Sequence, residues 1–203
     1  MENTAVSDHF SATYAEARSK FLDAADKLGA AIETFELLGY QGAASETLAM
    51  DVAYLGAPTA QRLLILSSGN HGPEGFCGSG CQVATLHDTD LMGRFKQAGI
   101  GLLMIHAINP YGFSYLQRTN QDNVELNRNH IDSNAALPAN AGYAELDPIV
   151  IPATWPPTHE DEQALAGYVA RHDMQAYHST LGRGQYDMPD GSRCARNRSN
   201  ACQ

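Results

Sequence analysis

The sequence predicts an α/β fold on a mostly parallel sheet, and three observations carry that expectation. Two short apolar runs, Leu63-Leu64-Ile65-Leu66 and Gly101-Leu102-Leu103-Met104-Ile105, have the length and composition of buried strands. The stretch between them, from Gly75 to about Ala98, is long enough for a helix and carries Val83, Leu86, Leu91 and Phe95 as core contacts. The first run leads straight into a Gly/Pro-rich loop. Strand, loop, helix and strand in that order make a βαβ unit.

The remaining elements follow along the chain. Phe10, Tyr14, Ala17, Phe21, Ala24, Ala25 and Leu28 recur at steps of three and four, one apolar stripe of a helix that Ser7 or Asp8 caps and Gly29 ends. Thr47 to Leu55 reads as a strand closed by Gly56-Ala57-Pro58, and Arg62 to Ser67 as a second, more buried one. Gly101 to Ile108 is the third strand, stopped by the turn Asn109-Pro110-Tyr111-Gly112. Asp132 to Pro157 is loop-rich, with five prolines, Pro138, Pro148, Pro152, Pro156 and Pro157; Thr158 to about Leu181 is a helix with an acidic start. Ser192 to Gln203, with three arginines, two cysteines and no large apolar residue, reads as a disordered tail after a single domain over residues 1–191.

Composition narrows the function classes. A net charge of −10 argues against nucleic acid or an anionic membrane as the main partner. The first residues have neither a basic start nor an apolar core of a signal peptide, and no apolar run approaches the ~18 residues of a membrane helix. Four cysteines do not make a disulfide scaffold in a chain of 203 residues, so a reducing cytoplasm is the expected compartment. Cys77 and Cys81 read as small packed helix residues, and His106, mid-strand, as a hydrogen-bonded core histidine.

Ser68-Gly69-Asn70-His71-Gly72-Pro73-Glu74-Gly75-Phe76 is the candidate site loop. It sits at the C-terminal end of a strand, where open α/β sheets build their sites. Imidazole and carboxylate three residues apart are both good Zn²⁺ donors. A second cluster, Asn109 to Phe113, Arg118, and Asn123 to Asn129, follows the next strand. Two arginines among amides suit a substrate with an anionic end, since guanidinium binds carboxylate bidentately. Arg118 and Arg128 read equally as loop ion pairs.

Taken in order, these motifs resemble the zinc carboxypeptidase superfamily, in an uncharacterised bacterial branch built on a domain of unknown function. The resemblance is carried by Tyr14-Ala17-Arg18-Phe21, Ser68 to Phe76, Asn109 to Phe113, Arg118, Glu125 to Asn129, and more weakly Gly184-Gln185-Tyr186 and Pro189-Asp190-Gly191. It implies a three-layer fold, a mixed and mostly parallel sheet with helices on both faces. It implies His71 and Glu74 as zinc ligands, Arg118 against the scissile carbonyl, and Asn127 and Arg128 on the substrate's carboxylate. Glu125 stands where the family has an aspartate bracing the ligand histidine, one methylene longer. The implied activity is zinc-dependent hydrolysis of an amide bond next to a free carboxylate, in a small peptide or an acyl-amino acid; deacylation of N-acyl amino acids is an alternative.

The family's third ligand histidine and its glutamate base lie beyond the Gly-Gln-Tyr stretch, where this sequence turns into its Arg/Cys tail. Tyr177-His178-Ser179-Thr180-Leu181-Gly182 imitates the third-ligand setting but precedes Gly184-Gln185-Tyr186, and is expected on a helix. The expectations are therefore a chain truncated near Ser192 with its C-terminal strands missing, a weak or incomplete zinc site and impaired catalysis. The other reading is an inactive remnant or a binding module.

Overall fold

Thr13 sets the start of the first long helix. Its hydroxyl accepts from the Glu16 amide, and helix α1 runs Tyr14–Lys27 with Tyr14, Ala17, Phe21, Ala24 and Ala25 buried. That is the expected stripe, less Phe10, which follows a 3-10 turn at Val6–His9, and Leu28, the C-cap residue; both are exposed. The cap is Thr13 rather than Ser7 or Asp8. Gly29, at φ +70°, turns the chain out of the helix.

The computed structural model describes residues 5–130, 132, 136–188 and 191, so the tail expected at 192–203 lies outside the described residues. The chain divides into two compact units, Met1–Asn120 and Gln121–Gln203. In the first, strands β1 Ala31–Gln41, β2 Thr47–Leu55, β3 Arg62–Ser67 and β4 Ile100–His106 form one sheet in the order β1-β2-β4-β3. Between β3 and β4 stand α2 Gly72–His87 and α3 Thr89–Gln97; α4 Pro110–Tyr115 follows β4.

The expected α/β class and mixed sheet are found, and the expected βαβ unit is β3, α2, α3, β4, with β3 parallel to β4. The parallel share is smaller than expected. Both β1–β2 and β2–β4 are antiparallel. One cause is β1, a strand with no counterpart in the elements expected from sequence. It joins β2 through the short link 42–46, a connection that permits only an antiparallel pair. Its positions are all exposed except Leu37, so no apolar period marks it as a strand. The single helix expected over Gly75 to Ala98 is two, broken at Asp88, whose side chain accepts from the Leu91 amide and starts α3. The turn expected at Asn109 to Gly112 continues as α4, capped by Asn109.

The core of this unit lies between the sheet and its helices. Phe21, Ala24 and Ala25 of α1 and Val83 and Leu86 of α2 pack with Ala53, Leu102 and Met104. Leu64 and Leu66 join them and are paired in register with Leu102 and Met104. Strand alternation sends Leu63 and Ile65 to the opposite face, where they are 55% and 54% exposed. Helices on both faces were expected; within this unit α1, α2 and α3 share the one cluster. A single crossover, β3 to β4, places its helices on one side, and the β1–β2 hairpin brings none to the other.

Several buried polar side chains here are hydrogen-bonded, while His106 Nδ1 is buried without a partner among the described residues. Asp51, fully buried, accepts from Arg18 Nε at 2.7 Å, Arg18 Nη2 at 3.1 Å and Thr34 Oγ1 at 2.6 Å. Tyr14 Oη bonds both the carbonyl and the amide of Ala49 at 2.8 Å; burial pushes its pKa up to about 12. His106 stacks on Phe21 and meets Ser79 Oγ at 2.9 Å through Nε2, as expected of a core histidine. Cys77 and Cys81, expected to be packed, are exposed.

The second unit holds α5 Tyr143–Val150 and α6 His159–Gly182. Helix α5 lies inside the stretch expected to be loop, and carries Pro148 within it. Thr158 and Asp161 form a reciprocal capping box at the start of α6, where the acidic start was expected. Asp173, at φ +64°, breaks α6 and caps its second half by accepting from the Ala176 amide. No helix of the described residues is long and apolar enough to cross a membrane.

Candidate functional site

The loop after β3 is fixed by close backbone approaches that only glycine allows. Ser68, buried, donates to Gln82 Oε1 at 2.7 Å, and Gln82 Nε2 reaches the carbonyls of Leu66 and Ile105. Gly69 lies at φ +67° against Ala107. A Cβ on Gly72 would overlap the carbonyl of Gly112 and stand 2.7 Å from that of Gln117; a Cβ on Gly112 would meet the carbonyls of Gln117 at 2.7 Å and Thr119 at 2.8 Å. The two loops therefore interlock, backbone against backbone.

Asn109 holds the same junction. It is 2% exposed; its Oδ1 accepts from the Gly112 amide at 2.8 Å and its Nδ2 donates to the Thr119 carbonyl at 3.1 Å and the Asn70 carbonyl at 3.4 Å. Phe113, fully buried, lies under the loop against Gly75 and edge-on to Phe76. Sequence reading took Asn109 to Phe113 as part of a site motif without a role. The structure gives these residues one: they set the position of the His71 loop. The Tyr14-Ala17-Arg18-Phe21 motif likewise belongs to the core.

His71 is the N-cap residue of α2 and Glu74 lies in its first turn, so the motif straddles a helix start where a loop was expected. N-cap and N3 positions share one face of the first turn. His71 Nδ1 stands 3.5 Å from Glu74 Oε1, and Arg118 Nη1 stands 3.7 Å from the same oxygen. The His71 side chain is 11% exposed, Arg118 38% and Glu74 63%. The three residues expected to act together at this loop converge on one carboxylate oxygen.

The donor set can be tested for a metal. Two ligands each at ~2.1 Å and a tetrahedral angle apart stand about 3.4 Å from one another. The His71–Glu74 separation of 3.5 Å fits that spacing without rearrangement. Among the described residues, no group of three or more His, Cys, Asp or Glu comes together to hold an ion. The described donors would thus supply two of the three protein ligands a catalytic zinc site commonly has.

Glu125, Asn127 and Arg128 belong to the second unit, at the 3-10 turn Leu126–Arg128. Glu125, fully buried, caps that turn by accepting from the Asn127 amide at 3.3 Å. Arg128 Nε donates to the Gly182 carbonyl at 3.0 Å, and Tyr186 Oη donates to the Arg128 carbonyl at 2.6 Å. Gln185, also buried, accepts from the amides of Asp187 and Met188. The Gly184-Gln185-Tyr186 motif therefore braces the turn that carries Arg128. The Tyr177 to Gly182 stretch lies on α6, as expected of an imitation.

Comparison with known proteins gives one family. The family described as "protein of unknown function (DUF2817)" matches residues 10–194. No curated protein matches. Among solved structures, the chain is similar to a "putative carboxypeptidase" from Burkholderia mallei ATCC 23344, at 16% identity and TM-score 0.41, covering 77% of this chain and 36% of that one. It is similar to bovine thrombin-activatable fibrinolysis inhibitor, at 13% identity and TM-score 0.43 over 80% and 56% of the two chains. It is also similar to a glutaminyl cyclase of Porphyromonas gingivalis, at 15% identity and TM-score 0.33 over 52% and 48%. The matched region spans 36% to 56% of the length of these three structures.

Proposed function

We propose, for a chain that belongs to the DUF2817 family of proteins of unknown function, a zinc-dependent amide hydrolase of carboxypeptidase type, cleaving next to a free carboxylate in a small peptide or acyl-amino acid. The observation that supports this most directly is the spacing of the donors: His71 Nδ1 and Glu74 Oε1 at 3.5 Å, with the Arg118 guanidinium beside them. His71 and Glu74 would hold the ion. When bound, zinc supplies a Lewis acid and a water of pKa about 7. Arg118 would donate to the oxygen on which negative charge develops as the carbonyl is attacked. Asn127 and Arg128 would hold the substrate's terminal carboxylate, Arg128 through the guanidinium nitrogens beyond Nε. Glu125 would act as a positioning residue, by fixing the turn that carries Asn127.

One observation favours a second reading. Among the described residues only two metal donors meet at this loop, so a module that binds zinc or an anionic peptide without turnover fits the same geometry. One experiment separates the readings. Zinc binding to the full chain is measured by calorimetry, and a blocked dipeptide and an N-acyl amino acid, each with a free carboxylate, are assayed with and without chelator. Equimolar zinc, lost in His71→Ala, with chelator-sensitive cleavage supports the hydrolase. Zinc binding without cleavage of either substrate supports the module, and no zinc binding rejects the hydrolase.

A further inference from the structure

A cavity of about 810 Å³ opens at the end of the β3–β4 pair where Arg62 and Ile100 begin the two strands. His71 and Glu74 follow the opposite end, so this cavity is not the site already described. Its wall is apolar, with Leu28, Leu55, Met92, Phe95 and Leu102 among the lining residues. Its size is that of small-ligand sites. Two charged residues line it, Arg62 at the first position of β3 and Lys96 in the last turn of α3, and no Asp, Glu or His does. In a chain with 23 acidic and 13 basic residues that lining runs against the overall charge. Both side chains are exposed, and neither forms an ion pair among the described residues.

An apolar wall beside two cations with no ion-pair partner among the described residues is complementary to one ligand class: an apolar chain ending in an anion. We propose that this cavity binds an alkyl carboxylate, its head group between Arg62 and Lys96 and its chain along Leu28, Leu55 and Phe95. Guanidinium takes the carboxylate bidentately and the ammonium adds a point charge. The alkyl chain covers apolar surface that is otherwise open to water. The proposal does not depend on the zinc-site reading.

The test is a titration of the full chain with octanoate, decanoate and octanol, each below its aggregation limit, by calorimetry and by amide NMR shifts. Octanoate should bind saturably at one site, shifting amides at the start of β3 and in α3. Each added methylene should tighten binding about fourfold, so decanoate should bind about sixteenfold more tightly. Octanol, with no charge to offer, should bind about tenfold more weakly or worse. Lys96→Glu should remove the preference for octanoate over octanol. Gly93 lines the cavity on α3 and has open space where a Cβ would stand, so Gly93→Phe should block both ligands with an unchanged circular dichroism spectrum. Equal affinity for octanoate and octanol overturns the proposal, as does the absence of saturation, a Lys96→Glu chain that still prefers octanoate, or undiminished octanoate binding by a folded Gly93→Phe chain.

Discussion

Asp51 and Glu74 are two carboxylates of one compact unit, each facing an arginine, in opposite settings. Asp51 is fully buried and accepts three hydrogen bonds of 2.6 to 3.1 Å. Glu74 is 63% exposed, and its two neighbours, the His71 ring and the Arg118 guanidinium, stand at 3.5 and 3.7 Å, beyond good hydrogen-bond length. A buried charge must be fully partnered, and breaking the set leaves an uncompensated ion in a poor solvent. An exposed charge at loose distances contributes little to folding and is open to a ligand. The contrast separates the carboxylate that maintains the fold from the one available for chemistry.

The sharpest way to break this contrast is Asp51→Ala, which strands Arg18 and Thr34. It should cost about 3–5 kcal/mol, read as a large drop in the urea midpoint. Next comes pH. Burial pushes the His106 pKa down to about 4 from an ordinary 6.5; of the charged groups beside it, Asp51 raises it and Arg18 lowers it, and both effects are smaller than that of burial. The unfolded chain gains this proton as pH falls through 6.5, and the folded chain does so only near 4. The neutral ring's stabilisation is therefore complete above pH 6.5 and is lost progressively between pH 6.5 and 4, amounting to about 3 kcal/mol. Urea midpoints across that range, with NMR titration of the His106 ring, check it; a ring that titrates near 6.5 in the folded chain would refute it.

Gly72→Ala forces apart two backbones and should cost about 1–3 kcal/mol, with zinc affinity falling as His71 and Glu74 shift. Glu74→Gln is the smallest. It should change stability by no more than about 0.5 kcal/mol while weakening zinc binding in calorimetry. If Glu74→Gln destabilised the chain as much as Asp51→Ala, the distinction between the two carboxylates would fail.

The legible parts of the fold were those with a period. Thr47–Leu55 and Arg62–Ser67 form the strands read from sequence, and Tyr14 to Ala25 the stripe of α1. Strand β1 stayed hidden because an edge strand that buries almost nothing needs no apolar alternation. The break at Asp88 was hidden because a single capping carboxylate divides a helix without interrupting its composition. At the candidate site, chemistry was legible and mechanics were not. His71, Glu74 and Arg118 advertised themselves as donors and a cation. Asn109 and Gly112 act through backbone placement, and the signals that marked them, a turn after a strand and the motif Asn109 to Phe113, carried no role. The buried clamp of Arg18 on Asp51 joins positions 33 residues apart, a pairing that no local pattern contains.

The interlock of Gly72 with Gly112 makes two distant stretches of the gene behave as a single inherited trait. Neither loop can be lengthened, randomised or grafted onto another scaffold by itself, because each is the mould in which the other sets. A library that varies one stretch alone will be populated mainly by failures at this junction, whatever it places at 71 and 74. Redesign of the site has to begin with both stretches varied together.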